Sequence, residues 1–166
     1  WIVVDDNSSE EDREIMRKEF PFIRFIMKSL VDKGHPRSMN IIKREVKTKY
    51  IFHLEDDWCF YRQERYLSDC ISVCESGGYG QVLLNKNYGE REMCFDIKCP
   101  SEMKTTNDNV RFYEHAHLTG DELQRYLRNN RKTCVYWPHY SLRPGIIRKD
   151  VFETVGDFNE KADHFE

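Results

Sequence analysis

No stretch of the 166-residue chain approaches the roughly 18 consecutive apolar residues of a membrane-spanning helix, and no signal peptide is recognisable. We therefore expect no membrane span. Positive and negative residues are nearly balanced, with 26 Lys and Arg and 29 Asp and Glu. The net charge of −3 gives no electrostatic reason to expect nucleic-acid binding. Charged residues still make up 33% of the chain and aromatic residues 13%, a mixture that predicts a soluble, folded protein.

The six cysteines lack the tight Cys-x-x-Cys spacing of structural zinc sites. Cys70 and Cys74 lie four residues apart in a helical pattern, and Cys94 and Cys99 lie in an irregular section. We expect reduced, mostly buried thiols in a cytoplasmic protein, and disulfides are the open alternative.

Apolar strand patterns alternate with helical patterns of about a dozen residues through most of the chain. Strands are predicted at 1–4, 22–27, 50–54 and 80–84, with helices following the first three of these segments. This alternation predicts an α/β fold with a mostly parallel sheet. We expect one domain over residues 1–166. Because the chain opens inside a strand pattern and ends inside a helical one, we interpret it as an excerpt lacking the first strand and the C-terminal part.

The strongest chemical signal is a predicted strand that runs directly into Glu55, Asp56 and Asp57. Ligands of open α/β sheets bind beyond the carboxyl ends of the strands. Adjacent carboxylates repel one another unless a positive charge lies among them, and Mn²⁺ or Mg²⁺ takes such oxygen ligands together with substrate phosphates. The sequence predicts a metal site here, and a solvated acidic turn is the alternative.

A second acidic strand end, Asp5 and Asp6, is predicted at the same edge of the sheet. A carboxylate there can accept hydrogen bonds from a nucleotide base or from ribose hydroxyls. The alternative is a simple Asx turn leading into the next helix.

The segment 33–40 is a loop that opens a helix, and it carries Arg37 and Asn40. Helix N-termini attract phosphate, and the Arg37 guanidinium can donate paired hydrogen bonds to it. An ordinary Gly-Pro turn with a surface arginine is the alternative.

In order and spacing these segments resemble the GT-A fold glycosyltransferases, and most of all the large family 2. The family pattern is a strand ending in Val-Asp-Asp-Gly/Asn-Ser, a Gly-x-x-x-x-x-Asn helix start, and a strand ending in Asp-x-Asp or Asp-Asp. The corresponding residues here are Val4 to Ser8, Gly34 to Asn40, and Leu54 to Asp57. Residues 141–152 and 155–160 are similar to the family's acceptor-side segment. The resemblance implies a GT-A (Rossmann-like) three-layer α/β/α sandwich with a mostly parallel mixed sheet.

The resemblance also implies roles for individual residues. Asp6 would hold the nucleotide base, with Asp5 beside it. Asp56 would contact the ribose or the donor sugar, Asp57 would bind the metal that bridges the phosphates, and Glu55 would share one of these roles. The donor would be a nucleotide-diphosphate sugar, most often a UDP-sugar, and the acceptor a glycan, lipid or protein hydroxyl.

Family 2 enzymes invert the anomeric carbon by one displacement, which needs a carboxylate base for the acceptor hydroxyl. The family places this base late, and Asp163 and Glu166 are the candidates here. We favour Glu166, because it follows an apolar residue where the second acid of the motif would stand. Two other functions stay open: a sugar-phosphate nucleotidyltransferase, and a non-catalytic module that binds nucleotide sugar or Ca²⁺.

Overall fold

The computed structural model of the chain describes residues 1–60, 62–84, 103–114, 119–129 and 142–161. These residues form two compact units. The first consists of Trp1–Lys49 with the described part of Lys149–Glu166, and the second consists of the described part of Tyr50–Arg148. The expectation of a single domain stays a prediction.

Seven strands, five α-helices and one 3₁₀ helix are present in the described residues. In chain order they are β1 (Ile2–Asp5), α1 (Glu10–Glu19), β2 (Arg24–Met27), the 3₁₀ helix (Leu30–Asp32), α2 (His35–Glu45), β3 (Tyr50–His53), α3 (Tyr66–Gly77), β4 (Gln81–Leu83), β5 (Met103–Thr105), β6 (Arg111–Tyr113), α4 (Gly120–Asn129), β7 (Gly145–Arg148) and α5 (Lys149–Thr154). Each of the predicted strands and helices named above has a counterpart within a few residues.

In the first unit, β1 and β2 form a parallel pair with Asp5 opposite Met27. The helix between them begins where the sequence provides a cap: the Ser9 hydroxyl accepts a hydrogen bond from the Asp12 amide at 3.1 Å. Acidic residues occupy the first turn of this helix and basic residues the last, which suits the helix dipole. The carboxyl ends of β1 and β2 therefore meet at one edge.

Helix α2 is the buried helix of the first unit. Gly34 precedes it with a φ of 127°, a conformation that side chains disfavour, and Pro36 lies in its first turn. Met39 is fully buried, and α2 packs against α5. Phe152 of α5 is also buried and meets the Phe158 ring edge-on at a centroid distance of 5.6 Å. The core of this unit therefore lies between α2, α5 and the residues after α5.

The second unit contains a three-stranded sheet of order β3-β7-β4, in which β7 is antiparallel to both neighbours. Its core consists of Cys70 and Cys74 from α3 and Ile146 from β7, with Tyr50, Phe52, Val82 and Leu84 packed against them. β5 and β6 form a separate antiparallel hairpin.

The predicted GT-A three-layer sandwich with a mostly parallel sheet is wrong for the described residues. Only β1 and β2 pair in parallel there, and the pairs that involve β3, β4, β5, β6 and β7 are antiparallel. The sheets are short, with two or three strands each. The prediction failed because it was drawn from the alternation of strands and helices along the chain, a pattern that does not encode which strands pair. β7 enters from far along the chain and lies between β3 and β4.

Gly145 shows why β7 fits between its neighbours. A Cβ at this position would lie 2.3 Å from the carbonyl oxygen of Val82, a backbone atom that has little freedom to move. The residue pairs with His53 on one side and with Leu83 on the other. A residue without a side chain is therefore needed at the start of β7 for β4 to pair with it at this distance.

The hairpin of β5 and β6 was not predicted from the sequence. Its turn is tied to α3, because the Ser72 hydroxyl contacts the Thr106 hydroxyl at 3.1 Å and donates to the Asp108 carboxylate at 2.7 Å. Its strands are only three residues long, too short to show an alternating pattern.

Two further expectations concern thiols and membranes. Cys59, Cys70 and Cys74 carry free thiols, the first exposed and the other two buried. Burial raises the pKa of the Cys70 thiol to about 12, so it stays protonated. None of the helices in the described ranges is long and apolar enough to span a bilayer.

Candidate functional site

Asp5 ends β1 with its side chain only 4% exposed, and both carboxylate oxygens have partners inside the first unit. Arg13 of α1 approaches with Nη2 at 2.7 Å and donates from Nε at 2.8 Å. The Ser8 amide also donates to this carboxylate, at 3.2 Å. Asn7 makes this turn possible by adopting a φ of 72°, which asparagine tolerates. Asp5 thus ties the end of β1 to α1, and its predicted contact with a nucleotide stays a prediction.

The ion pair with Arg13 offsets the cost of burying the Asp5 carboxylate and makes the stability of the first unit depend on pH. Burial alone would raise the pKa of Asp5, but hydrogen bonds from Ser8 and Arg13 outweigh it and hold the pKa below the ordinary value. The folded state therefore gains stability from ionised Asp5 above the unfolded pKa of about 4 and loses it as the pH falls through the folded pKa.

Replacing Asp5 with asparagine should therefore lower the free energy of unfolding by about 1–3 kcal/mol at pH 7. The difference from the native chain should shrink toward pH 3. Urea unfolding at both pH values measures it, with Glu11→Gln on the exposed face of α1 as a control of equal charge change. A difference that is the same at both pH values would contradict the assigned ion pair.

Asp6 lies just beyond β1 and joins three segments of the first unit. Its carboxylate accepts a hydrogen bond from the Gly34 amide, at 2.9 Å to Oδ1 and 3.2 Å to Oδ2, and forms an ion pair with Lys28. The Lys28 side chain is 2% exposed, and its Nζ also donates to the Gly34 carbonyl at 2.8 Å. The Asp6 side chain itself is 40% exposed. One edge of this carboxylate is thus fixed by the protein, while the group as a whole still reaches solvent.

The charges around Asp6 also set the protonation of two titratable groups. Burial acts to raise the pKa of Asp6, yet Lys28 and the Gly34 amide bring it below the usual value. His35 begins α2, and its pKa is lowered, because burial and the Lys28 charge outweigh the opposing effect of Asp6. At neutral pH this corner of the protein therefore holds an ionised Asp6 and a mostly neutral His35.

Arg37, the predicted phosphate ligand, lies in the first turn of α2 with its side chain 35% exposed. Its Nη1 donates to the Val31 carbonyl and lies 3.4 Å from the Asp32 carboxylate. Its Nε lies 3.4 Å from the Glu160 carboxylate. A phosphate that reached this guanidinium would replace one of these longer carboxylate contacts, while the bond to the carbonyl could stay.

Asn40, the second predicted donor-binding residue of α2, is 1% exposed and faces the residues that follow α5. Its Nδ2 donates to the Phe158 carbonyl at 3.0 Å and to the Glu160 carboxylate at 2.9 Å, and its Oδ1 accepts from the Phe158 amide at 2.8 Å. These bonds use both protons of the amide group and one lone pair of its oxygen. The predicted nucleotide contact of Asn40 is untested, and the observed contacts are structural.

Four residues that hold this region together were not predicted from the sequence. They are Arg13, Lys28, Lys43 and Glu160. Lys43 is buried in α2, donates to the Gly156 carbonyl at 2.7 Å and pairs with Asp157. Lys28 offered a signal, because a lysine at the end of a strand parallel to β1 falls opposite the Asp5-Asp6 end. For Lys43 and Glu160 no local signal existed, since their partners are far away in the sequence.

In the second unit, Glu55, Asp56 and Asp57 form a turn just after β3, here called the acidic turn. Asp56 and Asp57 are exposed, and Glu55 is half-buried. The pKa of Glu55 is raised, first by burial and then by the negative charges of Asp57 and Asp56, while a hydrogen bond from the Trp58 indole acts the other way. The repulsion expected from three adjacent carboxylates is therefore present.

The acidic turn fits a hard divalent cation by the chemistry of its donors. Its side chains offer carboxylate oxygens, and a bound cation would relieve the repulsion that, after burial, contributes to the raised pKa of Glu55. Across the described ranges, no three His, Cys, Asp or Glu side chains converge into a ready-made metal cage. A cation at the acidic turn would therefore need further oxygen ligands from substrate phosphates and water.

An open groove of about 470 Å³ lies in the residues that follow the acidic turn. It is lined by Phe60, Arg62, Gln63, Glu64 and Tyr66. The rings of Phe60 and Tyr66 are 5.0 Å apart between centroids, and Phe60 also meets Phe52 of β3 at 6.3 Å. The groove combines flat aromatic faces with polar side chains, a composition that suits a sugar or a base.

The predicted site residues thus fall into separate groups. Asp5, Asp6, Arg37 and Asn40 belong to the first unit, and the acidic turn belongs to the second. Within the first unit, Asp6 contacts the Gly34 amide at the start of α2, and Glu160 is shared by Arg37 and Asn40. The proposed bases Asp163 and Glu166 lie outside the described residues.

Comparison with known proteins adds no relative. No family model matches the chain, and neither a curated protein nor a solved structure is significantly similar to it. A functional assignment therefore rests on the site residues alone.

Proposed function

We propose that the protein is a metal-dependent glycosyltransferase. It would move a sugar from a nucleotide-diphosphate sugar, with a UDP-sugar as the favoured donor, to an acceptor hydroxyl and invert the anomeric carbon. The observation that supports this most is the acidic turn, where two exposed carboxylates and a half-buried one with a raised pKa follow β3, whose residues alternate between half-buried and buried. Such a turn gains from a divalent cation, and a diphosphate supplies the oxygen ligands that the protein does not.

Asp57, with Glu55, is proposed to hold Mn²⁺ or Mg²⁺, and Asp56 to contact the ribose or the donor sugar. The ion, when bound, would stabilise the negative charge of the departing nucleoside diphosphate. Glu55 would exchange its hydrogen bond with the Trp58 indole for the metal contact.

In the first unit, Asp6 is proposed to accept a hydrogen bond from the nucleotide base. Lys28 and the Gly34 amide keep it ionised and fix its orientation, while 40% of its side chain stays exposed to a ligand. Arg37 is proposed to meet a phosphate oxygen by exchanging its 3.4 Å contact with Asp32 or Glu160 for a shorter one.

The proposed reaction is a single displacement. The acceptor oxygen attacks the anomeric carbon as the bond from that carbon to the diphosphate oxygen breaks. The acceptor proton passes to a carboxylate, for which we propose Glu166 with Asp163 as the alternative. The products are the glycosylated acceptor with an inverted anomeric carbon and the free nucleoside diphosphate.

Release of nucleoside diphosphate tests this function. The protein is incubated with UDP-hexoses and GDP-hexoses, a panel of glycan, lipid and peptide acceptors, and Mn²⁺. We expect one donor to release its diphosphate in an acceptor-dependent reaction that EDTA stops. Nucleotide binding without release for any acceptor would instead favour a non-catalytic binding module.

A further inference from the structure

The groove that follows the acidic turn lies close to the proposed metal ligand, because the chain itself connects them. Phe60 lines the groove and follows Asp57 by three residues within the second unit. Three peptide links span at most about 11 Å between Cα atoms, since consecutive Cα atoms lie about 3.8 Å apart. The near end of the groove is therefore within the length of a short oligosaccharide from a diphosphate bound at Asp57.

Aromatic rings form the apolar part of the groove. The Phe60 and Tyr66 rings contact each other with their planes inclined by 48°, so a flat base cannot lie between them. Phe52 of β3 packs against Phe60, and the Tyr66 hydroxyl donates to the Arg62 carbonyl at 2.6 Å. Phe60 remains 44% exposed, and its free surface can carry the C–H face of a pyranose ring. The rings are thus held in place with one face available to a sugar.

The polar part of the groove carries both signs of charge. Arg62 Nη2 lies 2.9 Å from the Glu64 carboxylate, and Gln63 between them adds an amide. A phosphate or carboxylate ligand would be repelled by Glu64, and a cation would be repelled by Arg62. A hydroxyl both donates and accepts, so neighbouring hydroxyls of one sugar can accept from Arg62 and donate to Glu64. The charges of the groove therefore favour a neutral saccharide.

The exposure of the groove distinguishes an acceptor from the sugar that is transferred. A sugar about to leave its diphosphate needs shielding from water, because water would otherwise replace the acceptor and hydrolyse the donor. The side chains of Arg62 and Glu64 are 66% and 46% exposed, so this surface provides no such shield. An acceptor glycan needs none, and an open groove lets its chain continue into solvent.

We propose that this groove binds the acceptor and that the acceptor is a neutral glycan. The inference rests on the proposed transferase function and narrows its acceptor from a glycan, lipid or protein to a glycan. Phe60 stacks on one sugar ring, while Arg62, Gln63 and Glu64 bind its hydroxyls. The diphosphate of the donor is left to the acidic turn.

Direct titration with oligosaccharides tests the proposal without nucleotide or metal. The probes are neutral hexaoses of glucose, mannose, galactose and N-acetylglucosamine, together with an anionic heparin hexasaccharide. We expect at least one neutral hexaose to bind the native chain and the heparin probe to bind more weakly. Phe60→Leu keeps an apolar contact with Phe52 but loses the flat face, so the Kd of that hexaose should rise roughly 5- to 10-fold.

Gln63→Ala is the second variant, because this exposed side chain can be removed without disturbing the core. It should raise the Kd of the hexaose by roughly 3-fold or more through loss of a hydrogen bond. Phe22→Leu and Arg65→Gln are the matched controls, since they remove an exposed ring of the first unit and an exposed cation that does not line the groove. Both should leave the Kd unchanged. The affinity for UDP with Mn²⁺ should stay within about 2-fold of the native value in Phe60→Leu and Gln63→Ala.

The contrary results separate the inference from the function on which it rests. A native chain that binds a nucleotide with Mn²⁺ but none of the neutral hexaoses would overturn the inference alone. Preference for the heparin probe, or a loss of UDP affinity in Phe60→Leu, would overturn it as well, the latter by assigning the groove to the donor. Absence of Mn²⁺-dependent nucleotide binding in the native chain would instead refute the proposed function itself, and with it the acceptor role of the groove.

Discussion

Replacing Asp57 with asparagine should abolish the Mn²⁺-dependent part of donor binding. The change removes the negative oxygen that is proposed to bind the metal, and the described residues contain no preformed cage to compensate. Loss of an outer partner of a metal ligand already costs 10–100-fold in metal affinity, so loss of a ligand itself should cost at least about 100-fold. Isothermal titration with UDP in the presence of Mn²⁺ measures the effect.

The control for this variant is Asp69→Asn in α3. It removes the same charge from the same unit, and its partner Arg65 lies 3.9 Å away in an exposed pair worth little. Titration of UDP without metal should give the same weak affinity for the native chain and for both variants. An Asp57→Asn protein with native affinity in the presence of Mn²⁺ would remove the acidic turn from the proposed mechanism.

Replacing Glu166 with glutamine should lower turnover by roughly 10²-fold or more while leaving donor affinity unchanged. Glutamine has a similar shape but no basic oxygen of comparable strength, so it cannot take the acceptor proton as the new bond forms. Single-turnover measurement with saturating UDP-sugar separates this chemical step from donor binding.

Glu153→Gln in α5 is the matched control for this second variant. Glu153 is exposed and pairs with Lys149 one turn earlier, and its loss should leave turnover unchanged. If Glu166→Gln turns over at nearly the native rate, the base is not Glu166, and Asp163→Asn becomes the variant to measure.

The parts of this fold that depend on neighbouring residues were predictable from the sequence. Ser9 and the acids after it specify the start of α1, and Gly34 with Pro36 specifies the start of α2. The acidic turn was also placed correctly after a strand, because an apolar run followed by three acids has few other interpretations.

The direction of β7 and the partners of the site residues were not predictable. β7 pairs with strands far from it in sequence, and its place depends on a close approach at Gly145 that no local pattern encodes. The bonds of Asn40 cross 118 and 120 positions of the chain, so nothing near Asn40 distinguished a structural amide from a ligand-binding one. Burial of Lys43 in α2 follows from tertiary packing in the same way.

The most direct test of the account is a titration of the native protein with UDP, GDP, TDP and CDP, each with and without Mn²⁺. The account predicts that one of the four nucleotides binds and raises the melting temperature only when Mn²⁺ is present. UDP is the favoured candidate. It also predicts that EDTA reverses the effect. Failure of all four nucleotides to bind in the presence of the metal would contradict the proposed transferase function.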